Sequence, residues 1–314
     1  MKFGLHNNSF ITNDGLAEEI FPELKNRAQW LENNGFSYIS FMDHFWQIPG
    51  VGPADHPFME PWVTMGAIAA STEKINITTM VTSVGYRNPA LLAKMATTLD
   101  VISGGRSILG IGAGWYEAEY LGYGYEFPRP SIRLSQLREA VQMIKQLWSE
   151  NSTTFEGKFF SVKDAVLEPK SIKKPRPRIL IGGGGEKVTL RIVAQEADMC
   201  NFMMANPKVF QHKLSLLQAY CQELGRDASE IEVTKLDRLC LALSESQAEE
   251  KWNARGGRLP EGYRSLVGTA DQAIERLSEF KKLGLDTVFV SVANDDYESL
   301  AIFTEQVIPA LANI

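Results

Sequence analysis

The sequence has few of the residues that mark metal-binding, disulfide-bonded or membrane proteins. Only three cysteines occur among 314 residues, Cys200, Cys221 and Cys240. They form neither a CxxC pair nor a cysteine–histidine metal pattern, which indicates reduced thiols and no metal site. No apolar run approaches the roughly 18 residues that a membrane-spanning helix requires, and the N-terminus "MKFGLHNNSF" lacks an apolar signal core. We therefore expect a cytoplasmic protein without a membrane segment.

Basic residues are fewer than acidic ones, 32 against 38, which gives a net charge of -6. This balance argues against nucleic acid or an anionic membrane as a main partner. The densest basic stretch, 170–178, is interrupted by Pro175 and Pro177 and is typical of a solvated connector. The expected partner is a small-molecule substrate, and a homodimer stays open.

Strand-like apolar runs alternate with amphipathic helical segments along the chain, which is 44% hydrophobic. Eight strands are predicted, at 2–6, 38–42, 75–84, 107–114, 178–183, 197–203, 231–243 and 287–292. Eight helices are predicted among them, at 17–34, 62–71, 89–103, 131–149, 187–196, 207–224, 270–283 and 297–311. Eight β-then-α units in this length predict an α/β fold, a (β/α)8 TIM barrel, with one domain over residues 1–314.

One section, 121–177, departs from this alternation. It holds Pro128, Pro130 and a predicted hairpin, "TTFEGKFFSV" at 153–162. We interpret it as an insertion on the barrel, with a long surface excursion as the alternative. A Rossmann domain is the rival fold, but "GIGAGW" at 110–115 follows the fourth strand and has Trp115 where the dinucleotide fingerprint needs glycine.

An aspartate and a histidine, Asp43 and His44, directly follow the second predicted strand in "SFMDHFW". Active sites of (β/α)8 barrels lie at the C-terminal ends of the strands. Histidine can give or take a proton near neutral pH, and a neighbouring carboxylate would stabilise its charged form. The alternative interpretation is that both residues leave the sheet and cap the next turn.

Glycine-rich and small residues end the next three predicted strands. The fifth strand runs into "GGGGEK" at 182–187, just before a predicted helix. Free backbone N–H groups at a helix N-terminus bind anions, and the absence of side chains lets a phosphate approach. The spacing is not that of a P-loop. The alternative is a flexible turn without a ligand.

Taken together, these segments resemble the luciferase-like monooxygenase superfamily, in particular its branch of coenzyme F420-dependent oxidoreductases. The similar blocks cover most of the chain in order: "GFSYISFMDHFW" (35–46), "TTMVTSVGYRNPALLAKMATTLDVISGGRSILGIGAGWYEAEY" (78–120), "YEFPRPSIRLSQLREAVQMIKQLW" (125–148), "ILIGGGGEKVTLRIVAQEAD" (179–198) and "LVGTADQAIERLSEFKKLGLD" (266–286). The resemblance implies a flavin-type cofactor, coenzyme F420 or alternatively FMN, that carries a hydride to or from a small organic substrate.

The resemblance also implies roles for single residues. His44 would be the catalytic proton donor or acceptor, and Asp43 would contact the deazaflavin. Ser83 and Val84 would form a bulge under the ring, with a non-proline cis peptide between them. The remaining cofactor-binding residues implied are Gly112, Ala113 and Gly114 beside the ring and Gly182, Gly183, Gly184, Gly185, Glu186 and Lys187 at the phosphate. Trp46, Trp115 and Tyr116 would wall the substrate side, with core packing as their alternative.

One position departs from the family pattern. Some deazaflavin dehydrogenases have a catalytic glutamate directly after the strand-four glycine, where this chain has Trp115. Glu117 and Glu119 follow nearby but out of register, so a sugar-phosphate dehydrogenase is not expected. Two other functions stay open: an FMN-dependent monooxygenase that uses reduced flavin and dioxygen, and a non-catalytic ligand-binding barrel. "DHF" at 43–45 and "GGGGEK" favour the deazaflavin branch.

Overall fold

A computed structural model describes residues 1–12, 15–203, 206–257, 264 and 266–312. Eight parallel strands form a closed barrel: β1 (Lys2–Asn7), β2 (Tyr38–Phe41), β3 (Asn76–Thr79), β5 (Ser107–Gly112), β8 (Arg178–Gly182), β9 (Met199–Met203), β10 (Glu232–Leu241) and β12 (Thr287–Ser291). They pair in this order, and β12 pairs with β1 to close the barrel. Four short strands complete the set: β4 (Thr82–Ser83) on β5, β11 (Leu266–Gly268) on β10, and the antiparallel hairpin β6 (Thr153–Glu156) and β7 (Ser161–Ala165).

The helices are α1 (Ala17–Asn33), α2 (Pro61–Ser71), α3 (Pro89–Ile102), α4 (Glu117–Gly122), α5 (Pro130–Ser149), α6 (Thr189–Glu196), α7 (Pro207–Glu223), α8 (Glu245–Ala254), α9 (Ala270–Lys282), α10 (Tyr297–Ile302) and α11 (Ile308–Ala312). Local sequence sets several of their starts. The side chain of Asn88 caps α3 ahead of Pro89, and Thr269 and Gln272 form a capping box on α9, which satisfy N–H groups that the first turn leaves free. No helix in the described ranges is long and apolar enough to cross a bilayer.

The apolar core has two parts, because alternate strand residues face opposite sides of the barrel wall. The larger part lies between the barrel and the helices. The smaller part fills the barrel interior and consists of Tyr38, Met80, Ile108, Leu180, Met199, Leu236 and Phe289. The barrel is therefore a packed structure, and ligands are restricted to its ends.

A buried carboxylate ties together the strand starts at the N-terminal end of the barrel. Glu232 accepts hydrogen bonds from Tyr38 (2.9 Å), Thr287 (2.6 Å), Lys2 (3.0 Å) and Arg178 (2.9 Å). Burial alone would raise the pKa of Glu232, but these hydrogen bonds and the Arg178 charge outweigh it and lower the pKa to about 2. The ionised carboxylate thus links β1, β2, β8, β10 and β12 at this end.

The structure confirms the predicted TIM barrel and all eight of its strands. The predicted third strand, 75–84, is interrupted: β3 ends at Thr79, and β4 resumes at Thr82. The non-proline cis peptide lies within this interruption, between Met80 and Val81. The prediction of a cis bond between Ser83 and Val84 is therefore wrong. The run "INITTMVTSV" is rich in β-branched residues and contains neither glycine nor proline, so it carries no local signal for the break.

Within 121–177, α5 packs against α3 and α6 and is the helix that follows β5 in the barrel repeat. The hairpin β6–β7 occurs where the sequence predicted one. The hairpin and its flanking coil are the part of this section that lies outside the βα repeat. The helices α4 and α8 were not predicted, because α4 is only six residues long and α8 carries few apolar side chains.

Candidate active site

A buried histidine–glutamate pair occupies the C-terminal end of β2. The Nδ1 atom of His44 lies 2.6 Å from Oε2 of Glu119, which belongs to α4. Both side chains are buried. Because Nδ1 is engaged by the carboxylate, Nε2 is the nitrogen that can exchange a proton with a bound molecule. No described residue forms a hydrogen bond with Nε2.

Three further donors fix the Glu119 carboxylate. Its Oε1 accepts from the backbone N–H of Phe45 and, at 3.4 Å, from that of Trp46. Its Oε2 also accepts from the hydroxyl of Tyr86. Burial and the hydrogen bond to this carboxylate raise the pKa of Tyr86, so the hydroxyl remains a donor. Glu119, although out of register with the catalytic glutamate of the family pattern, therefore lies in the site.

Asp43 has protein partners on both carboxylate oxygens, and its contact with the deazaflavin stays a prediction. Its two oxygens accept from Arg87, at 2.7 and 3.1 Å, and Oδ2 accepts from the indole of Trp62 at 3.2 Å. Arg87 also pairs with Glu60, at the N-cap of α2. With both oxygens in use and only 1% of the residue exposed, Asp43 joins β2 to α2 and to the β4–α3 connection.

A second histidine, His6, lies near the end of β1. Its Nδ1 is 3.0 Å from the hydroxyl of Ser40, which itself donates to the Leu5 carbonyl at 3.4 Å. This arrangement requires Nδ1 to carry the hydrogen. Burial, together with a smaller effect of the charge of nearby His44, lowers the pKa of His6 to about 4. His6 is therefore neutral at physiological pH.

Val81, in the break between β3 and β4, packs against glycines at the C-terminal ends of β5 and β8. A Cβ atom added to Gly112 or to Gly182 would lie 2.8 Å from the Val81 side chain. Both glycines therefore make room for Val81, which packs on the apolar cluster inside the barrel. The cofactor contacts implied for Gly112 and Gly182 stay predictions.

The residues around Ser83 also have structural partners. The Ser83 hydroxyl is hydrogen-bonded to that of Tyr120, and a Cβ at Gly114 (φ +77°) would collide with both oxygens. The Val84 side chain belongs to the core between barrel and helices, and Ala113 packs against that core. Cofactor contacts by these four residues stay predictions.

The glycine-rich loop joins β8 to α6, which begins at Thr189 rather than near Glu186. Gly183 has φ +112°, a conformation that favours glycine. Among the described residues, no acceptor is bonded by the backbone N–H groups of 184–188. Consecutive unpaired donors at a helix start form an anion-binding site.

Two residues of α7 complete this loop and were not predicted. The ammonium of Lys213 donates to the carbonyl of Gly184 and lies 3.7 Å from the carboxylate of Glu186. His212 Nε2 lies 3.4 Å from the same carboxylate. Lys213 thus places a positive charge beside the free amides. Lys187, which was predicted to bind the phosphate, is exposed.

The aromatic residues near His44 differ in how far they are exposed. Trp115 stacks on Tyr116 with ring centroids 5.1 Å apart, and its centroid is 5.9 Å from that of His44. Trp115 remains 58% exposed, so it borders the open side of the site. Trp46 is half-buried, and its indole donates to Tyr116 at 3.5 Å. Phe45 is half-buried and stacks on Tyr123 with ring centroids 4.4 Å apart.

The chain matches a known protein family over most of its length. Residues 1–263 match the model of a family described as luciferase-like monooxygenase. The chain belongs to this family. The prediction of an oxidoreductase is thereby confirmed at the level of the family, which supplies the enzyme class without fixing the substrate.

Two curated relatives in this family bear the same name, F420-dependent glucose-6-phosphate dehydrogenase. The protein from Kineococcus radiotolerans is 37% identical over 178 residues, 55% of this chain and 50% of the relative, so that match spans half of the relative's length. The protein from Microbacterium testaceum is 29% identical over 331 aligned positions, 94% of this chain and 95% of the relative.

A solved structure shares the fold over the whole chain. It is an F420-dependent secondary alcohol dehydrogenase in complex with an F420–acetone adduct, with a TM-score of 0.82 and 22% identity. The alignment covers 99% of this chain and 98% of the other. At this identity the likeness supports the barrel architecture alone.

Proposed function

We propose that the protein is a coenzyme F420-dependent oxidoreductase that transfers a hydride to or from a small organic substrate. The observation that carries this proposal is the His44–Glu119 pair, which presents one histidine nitrogen at the C-terminal end of the barrel. The relatives named for F420 support the choice of cofactor. A cytoplasmic location and a homodimer are part of the proposal.

The described residues fit a phosphorylated deazaflavin in two respects. The free amides of 184–188 and the Lys213 ammonium supply donors and positive charge for a phosphate. At the opposite side of the barrel mouth, the buried Oδ1 of Asn7 has no partner among the described residues. An unsatisfied buried acceptor at this end of β1 is suited to a donor on a bound molecule.

When bound, the deazaflavin supplies the hydride chemistry, and the protein supplies the proton. His44 would give or take that proton at Nε2, while Glu119 holds Nδ1–H and stabilises the ring when it is charged. Tyr86 and the amides of Phe45 and Trp46 keep the carboxylate in place. Trp115 would shield the reacting atoms from water on the open side.

A second candidate is an FMN-dependent monooxygenase, because the family description names that activity. The amide loop would accept the phosphate of FMN equally well. The two candidates differ in the cofactor bound and in the use of dioxygen, which makes them separable by experiment.

The test is a pair of titrations of the purified protein, with coenzyme F420 and with FMN, each in oxidised and reduced form. We expect tighter binding of F420, and reduction of oxidised F420 by an alcohol without oxygen uptake. Secondary alcohols and glucose 6-phosphate are the first substrates to try, since relatives and a structural neighbour carry those names. Exclusive binding of FMN with oxygen consumption would replace the proposal by the second candidate.

A further inference from the structure

A cavity of about 540 Å³ lies outside the barrel mouth. Its walls come from the β4–α3 connection, the start of α3, the end of α4, the first turns of α5 and the hairpin region at Phe160. The volume falls within the roughly 300–1,000 Å³ typical of small-molecule sites. Neither His44 nor the loop 183–188 contributes to the walls, but Tyr86 and Arg87 do, so the cavity lies directly beside the active site described above.

A buried positive charge faces this cavity. Arg133 is only 7% exposed, and it forms no ion pair with a described residue. Its Nη1 donates to the Pro128 carbonyl, and the guanidinium lies 3.9 Å from the centre of the Phe127 ring. Its Nε is buried without a hydrogen-bond partner. A buried guanidinium is costly unless an anion or further acceptors accompany it.

The other guanidinium in the cavity wall, that of Arg87, already has carboxylate partners. Arg87 is paired with Asp43 and Glu60, so two carboxylates neutralise it. Glu126, the one carboxylate among the described lining residues, is exposed at the rim. Arg133 is therefore the cation in this cavity that an incoming anion would compensate.

The rest of the lining is mainly aromatic. The half-buried rings of Tyr125 and Phe160 and the exposed side chain of Leu91 line it, together with Tyr86 and Tyr120, which are only 3% and 1% exposed. Tyr86 and Tyr120 pack on each other, with ring centroids 4.7 Å apart and a 47° tilt, so Tyr125, Phe160 and Leu91 are the apolar groups that a ligand would contact. An apolar body with one negative end matches both features of the cavity.

We propose that this cavity is a second ligand site that binds a small aromatic carboxylate, with the carboxylate on Arg133 and the ring against Tyr125 and Phe160. A guanidinium forms charge-assisted hydrogen bonds with a carboxylate, which are shorter and stronger than bonds between neutral groups. The site does not depend on the cofactor, so it stands or falls separately from the proposed F420 chemistry.

The test is a calorimetric titration of the protein with benzoate, and with benzamide as the neutral comparator. Loss of a charge-assisted hydrogen bond should weaken binding at least about tenfold. We expect that deficit for benzamide on the unmodified protein and for benzoate on Arg133→Gln. Arg129→Gln is the matched control, because Arg129 is exposed at the N-cap of the same helix and does not line the cavity.

A second variant tests the proposal independently, in case Arg133→Gln does not fold. Leu91 is 55% exposed at the cavity rim, so Leu91→Trp should fill the cavity, abolish benzoate binding and leave the melting temperature unchanged. Gly184→Val should leave benzoate binding intact, since that residue belongs to the other anion site. Benzoate binding that is absent, that survives Leu91→Trp, or that inorganic phosphate displaces with equal affinity would overturn the proposal.

Discussion

At the scale of single residues, Glu119 decides which nitrogen of His44 can exchange a proton. The carboxylate accepts from Nδ1, from two backbone amides and from Tyr86. Replacing it with an amide would keep the size of the side chain but would place an N–H group where acceptors are needed. The histidine would then lose its tautomer preference and its compensating negative charge.

Substitutions at these two residues should therefore lower turnover more than cofactor affinity. We expect His44→Ala to reduce kcat by about 10²–10⁴-fold, the usual contribution of a general acid or base, and Glu119→Gln to reduce it at least about tenfold. Glu117→Gln is the matched control, because Glu117 is exposed on the same helix. Steady-state kinetics at saturating cofactor would measure the effect. Normal turnover of His44→Ala at saturation would assign the histidine a purely structural role.

Two residues of the candidate site, but not their hydrogen-bond partners, could be identified from the sequence. Asp43 and His44 stood out because they are adjacent at a predicted strand end. Their partners did not, because Glu119 lies 75 positions from His44, and Arg87 lies 44 positions from Asp43. Pairing across such distances depends on the closed barrel, which brings α4 and the β4–α3 connection over the end of β2.

At the scale of elements, helix ends were easier to predict than the path of β3. Asn88–Pro89 and the Thr269–Gln272 pair signal helix starts through local hydrogen bonds. The interruption at Met80–Val81 has no such local cause. It depends on side chains from other strands, namely the space that Gly112 and Gly182 leave for Val81. The strand pattern therefore predicted no irregularity, and the resemblance placed the cis bond three residues too late in the sequence.

The glycine-rich loop between β8 and α6 is expected to bind the phosphate of the cofactor, and a substitution in this loop tests that role. A Cβ at Gly184 would lie 3.0 Å from Nζ of Lys213, so Gly184→Val should displace the ammonium and cover the free amides. We expect at least about a tenfold loss in affinity for coenzyme F420, measured by titration, and a comparable loss for Lys213→Met. Gly66→Val is the control, since nothing surrounds that position within 4 Å. Unchanged affinity in folded Gly184→Val would exclude the loop from the site.

At the scale of the whole molecule, two buried groups at opposite ends of the barrel link its stability to pH. The pKa of Glu232 is lowered to about 2 in the folded protein, against an ordinary value of 4.5. The stability it contributes is present above pH 4.5 and is lost as the pH falls towards 2. The pKa of His6 is lowered to about 4 from 6.5. The unfolded chain therefore binds a proton first, and stability falls between pH 6.5 and 4.

These two windows predict a stepwise loss of stability in acid. Each shift corresponds to about 3 kcal/mol of unfolding free energy, at about 1.4 kcal/mol per pKa unit. Denaturant unfolding from pH 7 to pH 2 would measure it. We expect His6→Asn to flatten the decline between pH 6.5 and 4, and Glu232→Gln to flatten the decline below pH 4.5 while lowering stability at neutral pH, where Lys2 and Arg178 would lose their partner. His56→Asn, at an only partly buried position, is the control for the upper window. A decline between pH 6.5 and 4 that is as steep in His6→Asn as in the unmodified protein would show that His6 is not the titrating group, and the neutral, buried state assigned to it at the barrel mouth would have to be abandoned.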